Sequence, residues 1–227
     1  MSDSDEAARR SVREERSLTP MRKTIAKRLQ QSYRDAVHVT VSRDIDAEPL
    51  LAAAEKVDGP AVTDVLLCAL SETLDAHPAF NATFEDGTHR IYEEHNIGVA
   101  VDIDDGLVTP VIEDIGRKSL QEVARQRREL TRRVMNGEYT MKTFQDGTFT
   151  VSNLGVLGID SFTPVINPPE VAILGVGRAS ERAVPDEDGV TVRTELTLDL
   201  SFDHRVVDGA DAARFLETLS ETLAVVD

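Results

Sequence analysis

The chain has 227 residues, 41% of them hydrophobic, with no Trp and a single Cys. That is enough for one large domain or two small ones with a core of Leu, Val, Ile and Ala, and one Cys excludes an internal disulfide. Asp and Glu number 41 against 25 Lys and Arg, a formal net charge of −16, so nucleic acid is excluded as the expected partner because its phosphates would be repelled.

No run reaches the roughly eighteen apolar residues of a membrane span. The opening "MSDSDEAARRSVREERS" has no apolar stretch and cannot serve as a secretory signal, so a soluble cytoplasmic protein is expected. Only five of the cations are Lys. A carboxylate surface with so few Lys suits a high-salt cytoplasm, where self-repulsion is screened; the halophilic reading is favoured over an ordinary acidic protein.

In chain order, residues 1–17 are charged and aperiodic and read as a disordered arm, leaving 18–227 as one folded domain. "LTPMRKTIAKRLQQSYRDA" predicts a helix capped by Thr19, with Pro20 in its first turn and Met21, Ile25, Leu29 and Tyr33 on one face. Alternating Val37, Val39 and Val41 predict a half-buried strand. "AEPLLAAAEKV" and "TDVLLCALSETLDAH" predict helices, with Cys68 packed among leucines as core, since burial raises a thiol pKa and makes it a poor nucleophile. "ATFEDGTHRIY" and "IGVAVDIDDGLVTPVI" each place an Asp-Gly turn between β-type runs. "SLQEVARQRRELTRRVMNG" predicts a helix with a Ser119–Glu122 capping box and Gly137 as its stop. "GTFTVSNLG" predicts a strand entering a loop; "EVAILGVGRAS" and "VTVRTELTLDLSFD" predict two more strands, and "ADAARFLETLSETLAVV" the last helix. Strands and helices do not alternate regularly, so a mixed or antiparallel sheet is expected.

The candidate chemistry sits in "SFDHRVVDGADAARFL". His204 follows a strand and precedes a loop and helix, a rigid base from which a side chain can line a cleft, and imidazole is the group best suited to proton transfer near neutral pH. Asp208 and Gly209 form a turn that could aim it. Local chemistry alone equally suits a packed strand end with Asp208 capping the helix. His38, His77, His89 and His95 lack such a setting. No His or Cys spacing suggests zinc or another metal site, and "GVGRAS" lacks the spacing of a phosphate loop.

"DHRVVDG" at 203–209 resembles the active-site signature of the acyltransferase (E2) catalytic core of 2-oxoacid dehydrogenase complexes. "FTVSNLG" (149–155), "NPPEVAILGVGR" (167–178) and "TPMRKTIAKRL" (19–29) resemble further segments of that family in the same order. The resemblance implies a chloramphenicol-acetyltransferase-like α/β fold, a two-layer sandwich with a largely mixed or antiparallel sheet. It implies homotrimers with interfacial sites, of the kind built further into cubic or dodecahedral cores alongside E1 and E3 components. It implies transfer of an acyl group from a dihydrolipoyl thioester to coenzyme A, the coenzyme being a substrate. His204 matches the family's catalytic base, Asp208 its signature aspartate and Ser152 its oxyanion-stabilising serine. Asp208 is expected to hold the loop through an Arg such as Arg22 or Arg205. Residues that would bind coenzyme A are not indicated.

Members of that family carry lipoyl and subunit-binding domains before the core. Residues 1–17 are too short for either, so the sequence is expected to be either an excised core or a natural short chain whose lipoyl group comes from a separate carrier acting in trans. The competing expectations are a non-catalytic trimeric scaffold, against which the joint presence of Ser152, His204 and Asp208 argues, and an acyltransferase with another acceptor, against which "NPPEVAILGVG" argues.

Overall fold

The computed structural model describes residues 11–56, 61–104, 106–186 and 189–226. Of the charged arm, residues 11–17 are exposed and irregular; residues 1–10 lie outside the described residues, as does Asp105 of the second Asp-Gly turn.

Helix α1 (Pro20–Asp35) begins as the sequence dictates, with the Thr19 hydroxyl accepting from the Arg22 amide at 3.2 Å. Its expected apolar face is only partly used. Met21 packs on a small cluster of Val101, Val108 and Val134, while Leu29 and Tyr33 stay 45% and 67% exposed. Strand β1 (His38–Asp46) follows, then α2 (Glu48–Lys56) and α3 (Val62–Ala76). The first Asp-Gly turn joins β2 (Ala82–Glu85) to β3 (Thr88–Ile91) with positive φ at both Asp86 and Gly87, the conformation a two-residue hairpin requires. Short strands β4 (Ile97–Val99), β5 (Val101–Ile103), β6 (Gly106–Val108) and β7 (Val111–Ile112) lead to α4 (Leu120–Met135). There Ser119 and Glu122 bond each other's amides at 3.4 and 2.9 Å, the predicted capping box.

The main sheet is completed by β8 (Phe149–Asn153), β9 (Ala172–Val176), β10 (Ser180–Asp186) and β11 (Gly189–Asp203), and α5 (Gly209–Ala224) closes the chain. Its seven strands run β1-β11-β9-β8-β4-β7, with β10 also paired to β11. β8 is parallel to both β4 and β9 and the other pairs are antiparallel, so the mixed sheet is as expected. Sequence reading stopped short of β10, whose polar alternation in "SERAVPD" gives little apolar signal away from its partner.

One face of the sheet is apolar. Phe149, Val151, Leu174, Leu198, Leu200 and Phe202 project from it onto α2, α3 and α5 in one buried cluster. Phe215 of α5 is its centre, with ring centroids 4.8 Å from Phe80 and 5.9 Å from Phe149. The opposite face is polar and yet buried: Thr150, Ser152, Asp199, Ser201 and Asp203 are each at most 6% exposed. Its cover is the segment between β8 and β9. Ile166 receives the Ser32 hydroxyl of α1 at its carbonyl (2.6 Å) and donates its amide to His38 Nε2 (3.3 Å). The glycines of "GVGRAS" serve this packing: a Cβ on Gly177 would lie 2.0 Å from the Asp160 carbonyl oxygen, so the motif is a close backbone approach and not a phosphate cradle.

Phe215→Ala should lower stability by about 3–5 kcal/mol, since it removes a fully buried ring and leaves a cavity where three aromatics meet. Urea unfolding followed by circular dichroism measures it; a loss under about 1 kcal/mol would show that the core does not rest on this residue.

Candidate active site

His204 stands one residue past the end of β11. Its amide donates to the Val37 carbonyl at 2.9 Å, which ties the turn to the start of β1. The imidazole is 40% exposed, lies 5.6 Å from the Phe202 ring centroid, and has Nδ1 3.6 Å from Asp208 Oδ1. That separation is too long for a hydrogen bond and becomes an ion pair only when the imidazole is protonated. Asp208 sits at the N-cap position of α5, and its amide donates to Asp211 at 3.3 Å. The aspartate four residues past the histidine is therefore both a helix start and the imidazole's neighbour, and the two local readings of the sequence coexist.

The expected pairing of Asp208 with an Arg is corrected. Arg205 forks onto Asp203, with Nη2 to Oδ2 at 2.5 Å. The Arg22 guanidinium lies against β6, within 2.8 Å of where a Cβ on Gly106 would be. Arg205 is taken by Asp203, and Asp208, with a side chain 78% exposed, is left to solvent and His204. Burial tends to raise the Asp203 carboxyl, but hydrogen bonds from Arg205 and from the Arg205 and Val37 amides outweigh it and hold the group below the ordinary carboxylate range.

Ser152 lies on the polar face of the sheet, in the middle strand of a parallel trio, 6% exposed. The registers fix its distance from His204. Ser152 pairs with Gly175, and Gly175 with Asp199 on β11. Asp203 ends β11 about 14 Å further along, and Ser152 is two strands or about 10 Å across. Within one chain the serine and the histidine are thus roughly 17 Å apart. The structure brings His204 and Asp208 together and leaves Ser152 remote.

A cavity of about 670 Å³ is lined by Arg28, Asp35, Phe84, Glu170 and the two neighbours of His204 in sequence, Asp203 and Arg205, among others, but not by His204 itself. Glu170 was not singled out from the sequence, where it is one of 41 acidic residues. It is 5% exposed, accepts from Thr150 Oγ1 at 2.5 Å and Asn167 Nδ2 at 2.8 Å, and burial pushes its carboxyl up to about 7. The only available signal was its place in "NPPEVAILG", beside a strand buried on both faces. Arg28 of α1 completes this network, donating to Asn167 Oδ1 at 3.2 Å and to the Pro168 carbonyl at 2.9 Å. Cys68 is half-buried against the core with its thiol pushed up to about 11, mainly by burial, which fits the inert role expected of it. Among the described residues no cluster of His, Cys, Asp or Glu could hold a metal ion, and no helix is long and apolar enough to cross a membrane.

A family described as "2-oxoacid dehydrogenases acyltransferase (catalytic domain)" matches residues 11–226. The dihydrolipoyllysine-residue acetyltransferase component of the pyruvate dehydrogenase complex of Rickettsia felis is 37% identical over 215 residues, covering 89% of this chain and 52% of its own. Its counterpart in Staphylococcus epidermidis is 36% identical, over 91% of this chain and 50% of its own. The chain thus spans about half the length of these curated relatives. Among solved structures, the cubic core of a pyruvate dehydrogenase multienzyme complex superposes with a TM-score of 0.90 at 35% identity, covering 100% of this chain and 97% of that one. Azotobacter vinelandii dihydrolipoamide acetyltransferase gives the same values. A chloramphenicol acetyltransferase, 14% identical with a TM-score of 0.57 over 87% of this chain and 94% of its own, shares the fold.

The raised Glu170 carboxyl has a testable consequence for stability. From the ordinary value near 4.5 up to about 7, the unfolded chain gives up this proton while the folded one keeps it, so stability falls as pH rises across that window and levels off above it. Glu170→Gln cannot titrate. Urea midpoints from pH 4.5 to 8 should therefore show the wild type losing on the order of 3 kcal/mol relative to the variant. Parallel curves would mean that Glu170 does not hold its proton.

Proposed function

The chain belongs to the acyltransferase catalytic-domain family of the 2-oxoacid dehydrogenases, and from that membership we propose that it transfers an acyl group between a dihydrolipoyl thioester and coenzyme A. Residues 18–227 act as the catalytic domain, in a homotrimer that serves as the core of a 2-oxoacid dehydrogenase-type complex. The carrying observation is a match of order and spacing at three positions. A serine, a histidine and an asparagine have been investigated for their role in the catalytic mechanism of the Azotobacter vinelandii enzyme, and they keep the order and spacing of Ser152, His204 and Asp208 here. The third position departs, being an aspartate.

The chemistry follows from residue type and place. A coenzyme A thiol, with a pKa near the 8.5 or so of a cysteine, is mostly protonated at neutral pH. His204 takes its proton as the sulfur attacks the thioester carbonyl. The new carbon–sulfur bond pushes an electron pair onto the carbonyl oxygen, and the Ser152 hydroxyl donates to that oxyanion. Collapse breaks the bond to the lipoyl sulfur, which receives the proton back from His204. Asp208, 3.6 Å from Nδ1, favours the tautomer protonated there and leaves Nε2 as the base. No covalent enzyme intermediate forms, which agrees with the inert Cys68.

A serine roughly 17 Å from the base cannot serve it within one chain. The active site therefore pairs His204 of one subunit with Ser152 of the next around a three-fold ring, a heterologous contact that repeats and closes. The exposed apolar residues beside Ser152, Val156 at 79% and Leu157 at 70%, suit a subunit interface.

Purified protein given labelled acetyl-CoA and dihydrolipoamide should form acetyl-lipoamide, and a scaffold would not. His204→Ala should cost roughly 10²–10⁴ in kcat and Ser152→Ala about 10²–10³. Co-refolding equal amounts of the two inactive variants should restore activity, because about a quarter of interfaces then pair an intact histidine with an intact serine. No recovery, with mixed trimers confirmed by mass, would place both residues in one chain's site.

We further propose a high-salt cytoplasm as the setting, from the net charge of −16. The melting temperature should keep rising in KCl beyond the few hundred millimolar at which ordinary screening is largely complete. A flat or falling curve up to molar salt would remove that proposal.

A further inference from the structure

Asp203 and Arg205 flank His204, and the reaction described above uses neither. Asp203 is 2% exposed, and nearly every polar atom it has is engaged. Its Oδ1 accepts from the Val37 amide at 3.2 Å and the Arg205 amide at 3.1 Å. Arg205 Nε lies 2.9 and 3.0 Å from the two carboxylate oxygens, and Nη2 closes the fork on Oδ2. The Asp203 carbonyl receives the Val206 and Val207 amides, and its own amide donates to Val171. Val37 is gripped twice, by the Asp203 carboxylate at its N–H and by the His204 amide at its carbonyl. The guanidinium is located a second time by Phe84 of β2, whose ring centroid is 4.8 Å from Arg205 Cζ.

The imidazole has few anchors of its own. It is 40% exposed, with Phe202 on one side and an exposed Asp208 on the other. Its position is set by the backbone on which it stands, and that backbone is set by the Asp203 carboxylate. A half-buried ion pair adds little net stability once desolvation is counted. Its bidentate fork does fix direction as well as distance. We propose that Asp203 and Arg205 are positioning residues for His204, the carboxylate locking the turn to Val37 and Arg205 locking the carboxylate against Phe84. The inference rests on the acyl-transfer reading for its kinetic consequence, and its structural consequence can be read without it.

Asp203 and Arg205 also line the cavity of about 670 Å³, so a small cation can reach the space an Arg205 truncation would leave. Arg205→Ala should lower kcat about 10- to 100-fold, the scale of a misplacement of about 1 Å. KM for both substrates should stay within about twofold, because no binding contact is lost. Guanidinium ion at millimolar concentration should restore much of kcat, and KCl at equal ionic strength should not, since only a planar donor re-forms the fork. A second readout is the ¹³C-labelled imidazole Cε1 signal of His204, assigned by its loss in His204→Ala. In Arg205→Ala it should shift or broaden and return toward its original place with guanidinium. If Arg205→Ala fails to fold, Arg205→Lys carries both measurements, because it keeps the charge and loses the fork. Wild-type kcat with an unmoved imidazole signal overturns the proposal, as does a loss that guanidinium leaves unchanged in folded Arg205→Ala trimers. Absence of turnover in the wild type would sink the acyl-transfer reading instead, with the imidazole signal still deciding this one.

Discussion

A buried polar sheet face governs this fold. β11 alternates apolar and polar residues as a strand with one wet side would, and both sides are nonetheless covered. Taking Thr150, Asp199, Ser201 and Asp203 out of water would cost on the order of 1–3 kcal/mol for each group left unpaired, and the structure leaves none of them so. Thr40 and Ser201 share a hydrogen bond of 2.7 Å, Ser42 reaches Asp199 at 2.5 Å, and Thr150 reaches Glu170 at 2.5 Å. Among the described residues every buried side-chain nitrogen and oxygen has a partner. The first two bonds tie β1 to β11, and the third holds the end of the covering segment in one place, as an apolar contact of the same area would not.

That constraint arranges the site. Asp199 accepts from Ser161 Oγ and the Phe162 amide at 3.0 and 2.9 Å, and so pins the segment that runs beside Ser152. Glu170 ties the strand of Ser152 to the Asn167–Pro168 loop and, through Arg28, to α1. Asp203 ends the same polar row and starts the turn that carries His204. The serine and the histidine thus hang from opposite ends of one hydrogen-bonded surface, rigid relative to each other and too far apart to meet. A rigid separation of this kind suits a site completed by a second copy, because each chain then presents a pre-formed half.

The apolar surface left over fits the same arrangement. The outer face of α1 shows Leu29 and Tyr33, and the loop after Ser152 shows Val156, Leu157 and Ile159. The charge pattern there is set by cations, since α1 carries Arg22, Lys23, Lys27, Arg28 and Arg34 against one acid, Asp35. Elsewhere the few cations are spent on particular carboxylates. Arg127 holds the fully buried Asp64 at 2.5 Å between α4 and α3, and Arg182 lies 2.8 Å from Asp44. In a chain of charge −16 there are more carboxylates than cations to hold them.

The elements themselves were legible in the sequence because each carries a local physical signal. Thr19 and Pro20 start α1, the Ser119–Glu122 box starts α4, Asp86-Gly87 turns the hairpin, a continuous apolar run marks β9 and period-two alternation marks β11. His204, Asp208 and Ser152 could be named from their motifs, since motif spacing is a property of the chain. β10 was missed, because its polar alternation has meaning only against β11. The partner of Asp208 was misjudged, because the turn after β11 brings Arg205 onto Asp203 and the imidazole of His204 to Asp208. Glu170 was invisible, one acid among many until a sheet with two buried faces closed over it. Tertiary structure alone decided which polar residues lost their water, and that decision fixed the Glu170 proton, the Asp203–Arg205 fork and the distance between Ser152 and His204.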